Sequence, residues 1–137
     1  MRSSLWTDWG GDGPTLHLAH ANGFPPEAYA TLIRCLLPFF NVVTFASRPL
    51  WPSSRPETIA SWAPLADDLA DALERHGVTS AIGVGHSLGG VLSAWAAAAN
   101  PRFFSRLVLV DPVLFAGVRA RVWGWARRLG LASRLPL

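Results

Sequence analysis

The sequence predicts an α/β domain, a mostly parallel sheet with helices on both faces. Three observations predict it. From Thr15 onward, short apolar or β-branched runs alternate with stretches of helical spacing. Leu107-Val108-Leu109-Val110 is apolar throughout, the pattern of a strand covered on both faces. Residues 80–91, S-A-I-G-V-G-H-S-L-G-G-V, pass from strand-like residues through a glycine-bracketed turn into an alanine-rich helix.

Taken in order, Leu5-Trp6-Thr7-Asp8-Trp9 alternates and reads as a first strand. Gly10-Gly11-Asp12-Gly13-Pro14 is turn chemistry. Residues 15–19 form the next strand, a hairpin partner of the first or its neighbour across the sheet, with His17 packed in the strand. His20-Ala21-Asn22-Gly23-Phe24-Pro25 follows as a loop at that strand's carboxyl end, where a glycine lets backbone N–H groups turn toward an anion. Pro25-Pro26-Glu27 opens a helix running to about Leu37, with proline and an acid suited to its first turn. Its inward stripe is Tyr29, Leu32, Ile33, Leu36 and Leu37, Cys35 is a buried packing thiol, and Pro38 stops it.

Residues 41–46 are a strand with β-branched enrichment, and residues 47–56 are a stiff, proline-rich loop. Trp51 in that loop either walls a pocket or covers the core. Residues 58–76 read as a helix with Ile59, Trp62, Leu65, Leu69, Ala72 and Leu73 on the core side. Asp67, Asp68, Asp71 and Glu74 are its solvated face rather than a metal cluster, and Gly77 ends it. After the 80–91 turn a helix runs to Asn100-Pro101, and Asp111-Pro112 sits at the carboxyl end of the last strand. Residues 1–112 are thus one core. Residues 113–137 are an arginine-rich segment with Val118, Val122, Trp125 and Leu129 set against the arginines. That segment is either a membrane-surface helix or, the preferred reading, the start of a cap or a helix that packs on further chain.

Composition narrows the function classes. The chain has 137 residues, enough for one domain with a real core. Mean hydropathy is +0.26, rather apolar for a domain of this size. All 12 basic residues are arginine, and Arg119, Arg121, Arg127, Arg128 and Arg134 lie in the final segment. The high pI therefore reflects one segment, and no nucleic-acid partner is expected. A single cysteine allows no internal disulfide and no cysteine metal site. No signal-like apolar core follows Met1 and no run is long enough to span a bilayer, so the expected compartment is the cytoplasm and no membrane partner is expected. No cofactor and no metal are expected: there is no phosphate-binding glycine loop and no ligand set.

Gly85-His86-Ser87-Leu88-Gly89 is G-x-S-x-G with a strand before it and a helix after it, the context that gives the pattern chemical meaning. A sharp turn there raises the Ser87 hydroxyl, and the Leu88 N–H lies at the helix's unpaired, electropositive start. The alternative is a tight glycine turn with an incidental serine. In a parallel sheet ligands gather at the strands' carboxyl ends. The 20–23 loop, Arg48, Ser87 and Asp111 all fall at such ends, which argues for a single site.

G-H-S-L-G-G, the H-A-N-G-F-P loop and L-V-L-V-D-P, in this order and spacing, resemble the α/β-hydrolase superfamily to about Pro112. The resemblance implies that Ser87 is the nucleophile. It implies an oxyanion hole made by the Leu88 N–H and one from Asn22, with Gly23 next. His20 and His86 would shape the loop and the elbow, and Phe24 and Trp51 hint at an apolar pocket. Asp111 is either the acid or a structural Asp-Pro. The family order is serine, acid, then histidine. Here His17, His20, His76 and His86 all precede Ser87, so no catalytic base is found. The resemblance implies an incomplete C-terminal half: later strands, cap and histidine-bearing loop are absent.

The expected function is a serine hydrolase acting on an ester-like acyl bond of a small-molecule substrate, truncated and weak or inactive alone. The alternative is a non-catalytic binding or interaction module of the same fold. An open edge after the last strand predicts self-association, or pairing with a complementing C-terminal half.

Overall fold

The computed structural model describes residues 5–113. The elements run β1 (Trp6–Gly10), β2 (Thr15–Ala19), α1 (Ala30–Leu36), β3 (Asn41–Phe45), α2 (Ala63–Arg75), β4 (Ala81–His86), α3 (Leu88–Ala99) and β5 (Phe104–Val110). Short 3-10 turns lie at Pro26–Tyr29, Arg48–Leu50 and Pro56–Thr58. The strands form one sheet in the order β1-β3-β2-β4-β5. β1 runs antiparallel to β3, and the β3–β2, β2–β4 and β4–β5 pairs are parallel.

Side-chain alternation along the strands divides the core into two layers. Leu16, Leu18 and Val42 meet Ile33 of α1 on one face. Phe45 and Ala81 meet Leu65, Leu69 and Leu73 of α2 and Leu88, Leu92 and Ala96 of α3 on the other. His17, flanked by Leu16 and Leu18, points to the α2–α3 side. It is fully buried, lies 5.9 Å from the Trp6 ring and 6.2 Å from the Phe104 ring, and neither ring nitrogen has a hydrogen-bond partner. Burial pushes its pKa down to about 3, with the nearby His20 adding in the same direction.

Several sequence expectations are corrected here. β1 does not make a hairpin with β2; it pairs with β3, its Trp6 opposite Phe45. The turn between β1 and β2 runs past the end of α1, and Asn41 N–H donates to Pro14 C=O at 3.2 Å, so β3 takes the place beside β2. The second helix begins at Ala63 and not at Thr58, because Pro64 is tolerated only in a first turn. Ile59 and Trp62 therefore sit in the approach to α2, half-buried against the core. Cys35 is exposed rather than buried: it lies two residues beyond Ile33, on the far side of the helix. Leu32, at 46% exposure, also falls off the buried stripe.

β5 differs most. Its apolar run implied cover on both faces, yet Val108, Leu109 and Val110 are 41–49% exposed. Among the described residues β5 pairs only with β4, so its outer edge and much of both faces are open. The pattern of a covered strand is present; the cover is not among these residues. The arginine-rich segment expected over residues 113–137 lies outside the described residues from 114 onward.

Candidate active site

The β4–α3 junction is a sharp turn. β4 ends at His86, α3 begins at Leu88, and Ser87 alone joins them with φ 53° and ψ −117°. A non-glycine residue with that backbone is strained by about 1–3 kcal/mol, held by its surroundings. The Ser87 N–H donates to Val110 C=O at 2.9 Å, and its own carbonyl accepts the Gly90 N–H at 3.1 Å. Glycines make the approach feasible. A Cβ on Gly85 would lie 2.5 Å from Gly90 Cα, and one on Gly89 would lie 2.6 Å from the His20 carbonyl oxygen and against that of Ala19. The first turn of α3 is thus pressed onto the end of β2, where the 20–23 loop begins.

That loop is held by named bonds. Phe24 N–H donates to Ala21 C=O at 3.1 Å, closing a turn in which Gly23 has φ 76°. His20 is buried. Ser47 N–H donates to its Nε2 at 2.9 Å, so Nδ1 carries the ring proton and donates to Ala21 C=O at 2.8 Å. The Ser47 hydroxyl lies 3.1 Å from the same Nε2. Burial lowers the His20 pKa, in keeping with a neutral ring. His20 therefore ties the loop to the end of β3.

Tyr29 adds a link that sequence reading missed. Its hydroxyl accepts the Ala21 N–H at 2.9 Å and lies 2.8 Å from His86 Nδ1, with the two rings edge to face. The loop and the residue before Ser87 are joined through one phenol. The signal was present in the sequence: a tyrosine inside an otherwise aliphatic stripe needs a partner for its hydroxyl.

One of two neighbouring clefts reaches this junction, through Leu88. The smaller, about 160 Å³, is lined by Asn22, Pro49, Ile59, Trp62, Leu65 and Leu88. The larger, about 500 Å³, shares Ile59 and Leu65 with it and includes Arg48, Trp51 and Arg55. Trp51 does both things the sequence left open. It walls the larger cleft, and it packs edge-on to Phe45 with its indole N–H donating to Ala46 C=O at 2.7 Å. Arg48 lies over the Trp51 ring at 5.4 Å, and Asp68 holds its guanidinium through both carboxylate oxygens at 2.6 and 2.7 Å. That hydrogen-bonded partner raises the Arg48 pKa. Asp68, expected on the solvated face, is turned into an ion pair instead. Phe24 is 59% exposed and lies outside both clefts.

The remaining site residues are placed as follows. Asn22 is half-buried and Gly23 exposed, on the same rim as Leu88. Asp111 is exposed with φ 45°, one residue past the carbonyl that takes the Ser87 N–H, and Pro112 Cβ lies 3.3 Å from where a Gly90 Cβ would stand. None of the four histidines is set as a base for Ser87. His20 has both ring nitrogens engaged, His17 is sealed in the core, and His86 Nδ1 meets Tyr29. His76 caps the C-terminal end of α2 and stacks on Trp6 at 4.2 Å. Among the described residues no three His, Cys, Asp or Glu side chains gather as a metal site.

The family model for the alpha/beta hydrolase fold matches residues 19–130, and the chain belongs to that family. Among solved structures it is similar to a probable hydrolytic enzyme from Pseudomonas aeruginosa PAO1, with 30% identity and TM-score 0.71, over 90% of this chain and 43% of that one. A hydrolase from Pseudomonas aeruginosa PA01 gives 26% identity and TM-score 0.76 over 95% and 48%. An N-formylmaleamic acid deformylase from Pseudomonas putida S16 gives 25% and 0.69 over 94% and 52%. The chain spans about half the length of these structures. No curated protein matches it. Among the described residues no helix is long and apolar enough to cross a membrane.

Proposed function

We propose that the chain carries the nucleophile half of a serine hydrolase acting on an ester-like or related acyl bond. The observation that carries this reading is Ser87, held in left-handed backbone between β4 and α3 with the 20–23 loop pressed against the same helix start. The Ser87 hydroxyl attacks the carbonyl carbon, and its proton passes to a base. The oxyanion formed takes hydrogen bonds from the Leu88 N–H and from an N–H of Asn22 or Gly23. Each such donor is worth roughly 3 kcal/mol in comparable enzymes. The carbonyl re-forms, the alcohol or amine leaves with the proton, and water then frees the acyl group by the same steps.

This reading needs a base that none of the four histidines is placed to supply. Asp111, at the end of β5, is the acid within the chain that stands nearest this junction in the topology. Removing the base or nucleophile of a serine triad loses on the order of 10⁶ in turnover, leaving roughly 10³–10⁴ over water. The chain alone is therefore a weak catalyst. The placement of all four histidines away from that role favours a second reading, a non-catalytic binding module.

Turnover of a p-nitrophenyl ester, with imidazole added as a diffusible base, separates the two. The hydrolase reading expects wild type to exceed Ser87→Ala, by a margin that grows with imidazole. Equal rates at every imidazole concentration leave the binding module.

A further inference from the structure

We propose that the larger cleft is a binding site for a small carboxylic acid with an apolar body, its carboxylate taken by Arg55. The site goes beyond the hydrolase reading and does not rest on it.

Charge comes first. Arg48 and Arg55 are the charged residues in the cleft's lining, and no acid lines it. Asp68 balances Arg48 through Nε and Nη2, with the guanidinium over the Trp51 ring. Arg55 forms no ion pair and no side-chain hydrogen bond among the described residues. Glu57 stands two positions away, but it does not line the cleft and is not paired with Arg55. One cation is therefore uncommitted, and it balances one negative charge. A guanidinium fork matches the two oxygens of a carboxylate. A dianionic phosphate would keep a charge unbalanced, so the carboxylate is favoured.

The loop sets Arg55 in place. Its carbonyl accepts the Thr58 N–H at 2.9 Å and the Thr58 hydroxyl at 2.7 Å, which fixes the backbone that carries the side chain. Upstream, Trp51 N–H donates to Arg48 C=O at 3.0 Å and Ser54 N–H donates to Trp51 C=O at 2.9 Å. Pro49, Pro52 and Pro56 restrict φ along the same stretch. A wall ordered before binding costs less to order on binding.

Donors and hydrocarbon complete the match. The Ser54 hydroxyl oxygen lies in this wall, closed from solvent and without a hydrogen-bond partner. A polar group so placed is costly until it meets one. Ser53 and Ser61 add hydroxyls, and Arg48 Nη1 is not used by Asp68. Trp51, Ile59, Pro64 and Leu65 supply apolar wall. The volume, about 500 Å³, falls in the range of small-molecule pockets.

Ligand-observed NMR titration at low salt tests this with hexanoate, hexanamide, acetate and hexyl phosphate, on wild type and Ser87→Ala. Hexanoate is expected to bind both proteins alike. It should bind about threefold to fivefold more tightly than hexanamide, the size of an exposed charge pair. It should bind at least about fivefold more tightly than acetate, from its added apolar carbons. Arg55→Gln should remove the advantage over hexanamide, and Arg55→Lys should keep part of it. Arg34→Gln removes the same charge from α1, on the other face of the sheet, and should leave hexanoate binding unchanged. Arg55 is an exposed loop residue, and far-UV circular dichroism checks that the variants fold. Equal binding of hexanoate and hexanamide, or a loss in Arg55→Gln no greater than in Arg34→Gln, overturns the site. Tighter binding of hexyl phosphate than of hexanoate overturns the carboxylate assignment. Loss of hexanoate binding in Ser87→Ala places the acid at Ser87 and overturns the site as well. The expected binding without any Ser87-dependent ester turnover overturns the hydrolase reading alone.

Discussion

The Tyr29 hydroxyl lies 2.8 Å from His86 Nδ1 while accepting the Ala21 N–H at 2.9 Å. One phenol thus spans the start of the 20–23 loop and the residue before Ser87, which come from separate strands. Tyr29→Phe keeps the ring and removes the hydroxyl, leaving a partly buried N–H and a ring nitrogen without it. The expected cost is about 1–3 kcal/mol in urea unfolding. Reaction of Ser87 with a fluorophosphonate should slow by roughly tenfold to a hundredfold, because loop and elbow lose their register. An unchanged rate would show that the phenol supports stability alone.

The close approach of α3 to β2 gives a steric test. A methyl on Gly89 collides with the carbonyl oxygens of Ala19 and His20. Gly89→Ala should cost about 1–3 kcal/mol as backbone is forced apart. It should also slow phosphonylation, since the displaced segment carries the loop. Thermal melting and the labelling rate check the two effects on the same sample.

His17 makes stability depend on pH. Its folded pKa is about 3 against an ordinary 6.5. Between these values the unfolded chain binds a proton that the folded chain refuses. Stability is fully present above about pH 6.5 and falls as pH drops toward 3, by about 1.4 kcal/mol per unit for this group. His20, also lowered, adds in the same direction. Urea midpoints across this window should show the slope, and His17→Leu should flatten it. The same slope in the variant would assign the effect to other groups.

The open side of β5 predicts self-association. Val108, Leu109 and Val110 are exposed beside an edge that pairs with nothing among the described residues. Such an edge templates further strand pairing. Sedimentation should show species larger than a monomer, reduced by Val108→Lys with Val110→Lys. A monodisperse wild-type monomer would contradict this.

Much of the fold was legible because local chemistry and global packing agree there. Residues 15–19 and the strand at 41–45 carry their pattern in the sequence, and residues 85–90 need glycine where backbones touch. What was not legible depends on partners distant in sequence. Nothing local tells β1 to cross to β3. Nothing in the acidic stripe of α2 marks Asp68 as the residue that meets Arg48, twenty positions earlier. The apolar spacing over 58–76 runs through Pro64, and the proline fixes the helix start just before it. Val108, Leu109 and Val110 read as covered because an apolar run records what the strand is built to meet, not whether it is met. The small cleft was invisible for the same reason: Asn22, Ile59 and Leu88 come together only in three dimensions.

Intact-mass and peptide mapping after exposure to a fluorophosphonate tests the central claim most directly. The account predicts a slow, single phosphonyl adduct on the peptide bearing Ser87, absent from Ser87→Ala. An adduct on another serine, or labelling of wild type no greater than that of Ser87→Ala, would contradict it.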